Sequence, residues 1–196
     1  MSRWARLSML LSFFLSLSAF ALEPVVVSHS LVEDAAMDTQ GLVSVNVGAG
    51  NLHQQLNARA IAIGTELAAA TLRLQQHQML NQLELNQDAQ ADLLGDAFAN
   101  GVGVIGVNQA AGTGNQQINA FRFSLGQKRQ DLDDSVLAQQ LVAPAQSSGA
   151  TDQPKGSRIV VTDDKAFAGS RGVVQLNQSA GVGNQSVNSL SMTVVD

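Results

Sequence analysis

Three stretches of this chain place apolar residues at every second position. Arg59, Ile61 and Ile63 align with Phe121, Phe123 and Leu125 and with Leu190, Met192 and Val194, while Ala60, Arg122 and Ser191 fall between them. Alternation of period 2 predicts a strand with one buried face. A second apolar stretch, introduced by glycine, lies upstream of each: Gly41-Leu42-Val43-Ser44-Val45, Gly103-Val104-Ile105-Gly106-Val107 and Gly172-Val173-Val174-Gln175-Leu176. Its β-branched content predicts a strand there too. Between the paired strands, an Ala-Gly step and its neighbours (Gly112-Thr113-Gly114, Gly181-Val182-Gly183) supply residues that take positive φ and let the chain reverse. Each unit therefore reads as strand, tight turn, strand, and Asn100-Gly101 adds a hairpin signal before the second unit.

The three units share a frame: Asn, two residues, Ala-Gly, two residues, Asn or His, Gln, two residues, Asn. It ends at Asn57, Asn119 and Asn188, with offsets of 62 and 69 residues and no internal gap. Phe98 to Asn119 laid on Phe167 to Asn188 gives 12 identities in 22 positions, so these two copies share a plan well beyond the frame. The first copy is more divergent but keeps Gly41, Val45, Asn46, Ala49, Gly50, Gln54, Gln55 and Asn57. One such unit cannot bury enough apolar surface to offset the cost of ordering its backbone. Stacked copies can, because each layer then covers the next and pairs its backbone edges.

The connectors differ in kind. Residues 65–94 contain neither Gly nor Pro and are rich in Leu, Ala, Gln and Glu, which predicts a helical linker. Residues 127–156 begin with charges, leave room for a short helix near Asp131 to Val142, and end in Pro144-Ala145-Gln146-Ser147-Ser148-Gly149, a flexible linker by composition. The expected fold is thus mainly β: three strand-turn-strand repeats in a β-solenoid-like stack, with repeat 1 at 22–64, repeat 2 at 95–126 and repeat 3 at 157–196.

Composition changes this picture in two ways. Arg3 and Arg6, the apolar run Leu7 to Phe20 and the small-x-small step Ala19-Phe20-Ala21 predict a signal peptide over residues 1–21. The run is too short, and too broken by serines, to serve as a lasting membrane anchor. The expected fate of the mature chain is export from the cytoplasm. Cleavage would leave 9 basic against 16 acidic residues, a net of -7, which argues against nucleic acid as a partner. It would also leave Phe98, Phe121, Phe123 and Phe167 as the only aromatic residues of a chain without cysteine. Neither a large aromatic core nor disulfides can hold it together.

The amides offer another source of cohesion. Equivalent strands stacked about 4.7 Å apart bring like side chains into register, and an amide carries both a donor and an acceptor for its neighbour. The candidate columns are Asn46, Asn108 and Asn177; Gln54, Gln116 and Gln185; and Asn57, Asn119 and Asn188. A fourth holds Asn115 and Asn184 but is interrupted by His53. Service as ordinary turn residues is the competing reading, although turn preference does not explain glutamine at one aligned position in every copy.

Three NxxAGxxNQxxN copies, separated by linkers behind a signal sequence, resemble the repeat of the Fap functional-amyloid subunits of pseudomonads and related bacteria. The resemblance implies an exported, fibre-forming protein that supports biofilm and surface attachment, with Asn46, Gly50, Gln54, Asn57, Asn108, Gly112, Asn115, Gln116, Asn119, Asn177, Gly181, Asn184, Gln185 and Asn188 as the stacking residues. The chain lacks the C-terminal cysteine pair of that family's larger fibre subunits, carries His53 in its frame and has short linkers. These departures point to a minor or nucleating subunit, or to a related adhesin. The resemblance also implies passage through the periplasm to the cell surface or medium, with outer-membrane export machinery and copies of itself or other repeat-bearing subunits as partners. The alternatives are a monomeric β-solenoid adhesin and an accessory protein of the export system.

No catalytic, cofactor or metal site is expected. His29, His53 and His77 have no ligand spacing. The acid pairs Glu33-Asp34, Asp133-Asp134 and Asp163-Asp164 read as solvated loop charges. The GxGxxG match at Gly101 to Gly106 lies inside a repeat that accounts for its glycines and lacks the acidic residue about 20 positions on.

Overall fold

A computed structural model describes residues 26–66, 68–79, 87–126, 137–142 and 156–195. It is mainly β, built as three stacked layers. The first layer contains β1 (Val26–Glu33), β2 (Gln40–Asn51), β3 (Gln54–Ile63) and β4 (Leu74–Met79). The second contains β5 (Gln87–Leu94), β6 (Val102–Thr113), β7 (Gln116–Gly126) and β8 (Leu137–Val142), and the third β9 (Arg158–Thr162), β10 (Arg171–Val182) and β11 (Gln185–Val195). Ladders run between layers and are all parallel: β1-β5-β9, β2-β6-β10, β3-β7-β11 and β4-β8. Strands joined by a short reversal, such as β6 and β7, belong to different sheets and face each other across the interior.

Register follows the frame. Asn46 pairs with Asn108 and Asn108 with Asn177; Gln54, Gln116 and Gln185 align in the same way, as do Asn57, Asn119 and Asn188. Gly50, Gly112 and Gly181 adopt φ of 107°, 109° and 120° and bend the strands before they end. The reversal comes just beyond, at Leu52-His53, Gly114-Asn115 and Gly183-Asn184. Asn100-Gly101 does not form a hairpin. It belongs to an arch from β5 to β6 in which Phe98 and Asn100 take left-handed φ, as do Ala36 and Asp38 in the first layer and Phe167 and Gly169 in the third.

The helical linker expected over 65–94 is not found: its described residues hold β4 and β5, and no helix occurs among the described residues. Helix propensity is a weak prior that a parallel ladder overrides. Ala89, Ala91 and Leu93 recur with period 2 and are all buried, which is strand behaviour. The short helix expected near Asp131 to Val142 is likewise replaced over 137–142 by β8. The signal sequence at 1–21 and the rest of the second linker, apart from Gly156, lie outside the described residues.

The interior has two zones. Val32, Leu93, Ala97, Phe98, Ile105 and Val107 form the larger apolar cluster, where the Phe98 and Phe167 rings stack 5.2 Å apart at 10°. A second, smaller cluster joins Ala89, Ala91 and Ala111. Beside these lies a polar zone: Gln87, Asn108, Gln109, Asn115, Gln116 and Gln117 are fully buried. Apart from Gln87 Nε2, the amide nitrogens of these side chains are bonded, which offsets the cost of burying them and lets a chain so poor in aromatic residues cohere.

Candidate assembly surface: amide columns and open edges

The column amides bond across layers, and the last asparagine of each frame also bonds within its own layer. Asn108 Nδ2 donates to Asn46 Oδ1 at 2.9 Å and to Leu56 O at 3.1 Å. Asn177 Nδ2 repeats this one layer on, donating to Asn108 Oδ1 at 2.9 Å and Ile118 O at 3.0 Å. Gln116 donates to Gln54 Oε1 at 3.0 Å and Gln185 to Gln116 Oε1 at 2.8 Å. Asn119 donates to Asn57 Oδ1 at 3.0 Å and Asn188 to Asn119 Oδ1 at 3.1 Å. Within layers, Asn57, Asn119 and Asn188 also bond the carbonyls of Val45, Val107 and Leu176, fastening the second strand of each unit to the first.

The fourth column is broken. Asn115 and Asn184 each cap a carbonyl four residues back, on Ala111 and Ala180, and Asn184 Nδ2 donates to Asn115 Oδ1 at 2.9 Å. His53 keeps the local contact, with Nε2 2.9 Å from Ala49 O, but Nδ1 is buried without a partner. A ring reproduces the cap and loses the rung. Two further amide sets were not singled out from the sequence. Gln178 donates to Gln109 Oε1 at 3.0 Å, and Gln55 to Gln117 Oε1 at 2.9 Å. The identity of Gln109 and Gln178 at one aligned position was the available signal.

Glycine sets how closely the layers approach. A Cβ on Gly103 would overlap the Gly41 carbonyl, and one on Gly172 would overlap that of Gly103. Gly50 and Gly112 stand in the same relation to the carbonyls of Gly112 and Gly181. The outer layers are open: β7 is almost wholly buried between β3 and β11, whereas β11 alternates between half-buried and exposed before becoming fully exposed at its end. Among the described residues each outer strand has one neighbour, so half its backbone donors and acceptors face outward, a template for another strand.

A family model described as the functional amyloid protein FapB/FapC family matches residues 18–195. The chain belongs to that family. No solved structure matches it. The family is a structural amyloid family rather than an enzyme family. Arg59 stands where the other layers carry Phe121 and Leu190, and its guanidinium bonds Ser44 Oγ and Val43 O beneath Gly106, which lacks the side chain that would exclude it. Burial pushes the Arg59 guanidinium below its ordinary value. The backbone N–H of Lys165 holds the exposed Asp163 carboxyl below the usual carboxylate range. His29 Nε2 lies 2.9 Å from Asp92 Oδ2, and no group of three metal-ligating side chains gathers among the described residues.

Proposed function

We propose that this chain is an exported structural protein that self-assembles through its stacked amide-rich repeats into extracellular amyloid-like fibres supporting biofilm and surface attachment. One observation carries the proposal: among the described residues both ends of the stack present strands with one open edge, whose register and side-chain columns already repeat from layer to layer inside the molecule. Membership of a functional amyloid family supports it. The amide and glycine positions of the frame, from Asn46 to Asn188, are then the stacking residues. Repeats 1, 2 and 3 act as the layers and the intervening segments as spacers.

The test uses purified chain without residues 1–21. Fibres with reflections near 4.7 Å and about 10 Å, and a lag phase abolished by preformed seeds, are the expected result. Monomers that persist at high concentration, unfold cooperatively and ignore seeds would overturn it in favour of a monomeric adhesin.

A further inference from the structure

The amide columns have a direction. In the three columns that span every layer, the side-chain N–H points from repeat 3 to repeat 2 and from repeat 2 to repeat 1: Asn177 to Asn108 to Asn46, Gln185 to Gln116 to Gln54, and Asn188 to Asn119 to Asn57. The Gln178 to Gln109 bond runs the same way. Bonds in the contrary sense do not build an amide column through to the repeat-3 face: the series Gln55 to Gln117 to Ser179 ends on a serine, and Asn115 and Asn119 reach only the backbone carbonyls of Gly181 and Gln175, at 3.2 and 3.4 Å.

The two faces of the stack are therefore chemically different. Both amide hydrogens of Asn108 and of Asn177 go to the preceding layer, while Asn46 has only a 3.5 Å contact to Gln55 O in its own layer. The side-chain N–H groups of Asn57 and Gln54 donate only within the first layer, to Val45 O and Asn46 Oδ1 and to His77 O of β4, and none of them reaches a further layer. Repeat 1 thus ends in donors. At the other face, Gln185 Oε1 and Asn188 Oδ1 accept no bond among the described residues, and Asn177 Oδ1 accepts only from Asn188 and Ser186 of its own layer. Repeat 3 ends in acceptors. The glycines also tell the faces apart, in two opposed series: Gly172 abuts the Gly103 carbonyl and Gly103 the Gly41 carbonyl, leaving nothing within 4 Å of the Cβ position of Gly41, while Gly50 abuts the Gly112 carbonyl and Gly112 that of Gly181. An open cleft between β10 and β11, where Gln175, Asn188 and Ser189 lie among Val174, Leu176 and Val187, marks the repeat-3 face.

From this we infer that assembly is polar, with the repeat-1 face of one chain seated on the repeat-3 face of a second copy in unbroken register. Asn46 then meets Asn177, Gln54 meets Gln185 and Asn57 meets Asn188, and the Gly172 carbonyl of the second copy fills the space beside Gly41. Joining two repeat-1 faces would set donor against donor, and joining two repeat-3 faces acceptor against acceptor, with the strands antiparallel in both cases. The contact is heterologous and does not close on itself, so it generates a filament with two distinct ends. This inference rests on the self-assembly proposed above.

Two edge-blocked variants test it. Thr39 O and Gln54 N bond the second layer, which turns the backbone N–H groups of Leu42 and Ile61 outward; Arg171 N and Asn184 O do so in repeat 3, turning out Val174 and Val187. All four side chains are exposed. Leu42→Pro with Ile61→Pro blocks the repeat-1 face, and Val174→Pro with Val187→Pro the repeat-3 face, at edge positions that tolerate proline. The expected result by light scattering after size exclusion is a monomer for each variant alone and a 1:1 dimer, a doubling of mass, when they are mixed. A dimer from either variant alone overturns the polarity. So does absence of any association in the mixture while the parent chain forms fibres. Failure of the parent chain itself to form fibres overturns the self-assembly reading instead. Circular dichroism checks that each variant folds, and Leu42→Lys with Ile61→Lys and Val174→Lys with Val187→Lys replace any that does not.

Discussion

Alanine at Gly41, Gly103 and Gly172 separates backbone strain from layer contact, because the three positions share a frame site and a positive φ of 98°, 134° and 110°. Strain of an L residue in that region costs about 1–3 kcal/mol at each. Contact differs. At Gly103 the new Cβ falls 2.8 Å from the Gly41 carbonyl carbon and nearer still to its oxygen, and at Gly172 it falls 3.0 Å from the Gly103 carbonyl carbon. Relief requires the layers to part by about 1 Å, which takes neighbouring bonds such as Val102 N to Thr39 O and Arg171 N to Gly101 O, both 2.8 Å, out of bonding range. Losing about four such bonds, at about 0.5–1.5 kcal/mol each, adds about 2–6 kcal/mol. At Gly41 nothing lies within 4 Å, so only strain remains. Urea titration of soluble monomer should rank Gly41→Ala well above the other two in stability. Fibre growth should fail in all three, since under the inferred polarity a second copy's Gly172 carbonyl meets the new methyl at Gly41. Equal destabilisation at the three sites would refute the close approach of the layers, and normal growth of Gly41→Ala would refute the register of the joint.

Replacing Gln116 and Gln185 together by Leu keeps bulk and removes one column, so thioflavin-monitored growth should slow; an unchanged rate would reduce these amides to turn residues and leave Val102 to Val107 as the driver. Phe98→Ala removes a fully buried ring stacked on Phe167 and should cost about 3–5 kcal/mol in denaturant titration, whereas a loss below about 1 kcal/mol would mean the arch is not part of the core. The Asp163 carboxyl is held low by its Lys165 backbone bond, so its small contribution is present above the usual carboxylate range and is lost as pH falls through its lowered value. Asp163→Asn should flatten the acid limb of the stability profile slightly, and an identical limb would show that the turn gains nothing from the charge.

The frame was legible because it repeats without gaps: Asn46, Asn108 and Asn177 could be set side by side from the sequence, and the ladders pair those residues. The strand at the head of each layer was not. β5 reads Gln-Asp-Ala-Gln-Ala-Asp-Leu-Leu, good helix residues in isolation. Its alanines are there for another reason: Ala89 and Ala91 pack against Ala111 and Ala180, where two sheets come too close for larger side chains. Spatial crowding and helix propensity select the same residue, and only the buried period 2 tells them apart. Bond direction was equally hidden, since an amide's orientation depends on which carbonyls surround it.

The spacing of 62 residues between the first two frames and 69 between the last two leaves the ladders in identical register. Segment length between turns of the chain is therefore decoupled from the geometry of the scaffold. A peptide epitope or enzyme grafted into such a spacer would be presented once per subunit, at an axial interval of about 14 Å for three strands' rise, making the filament a ruler for display.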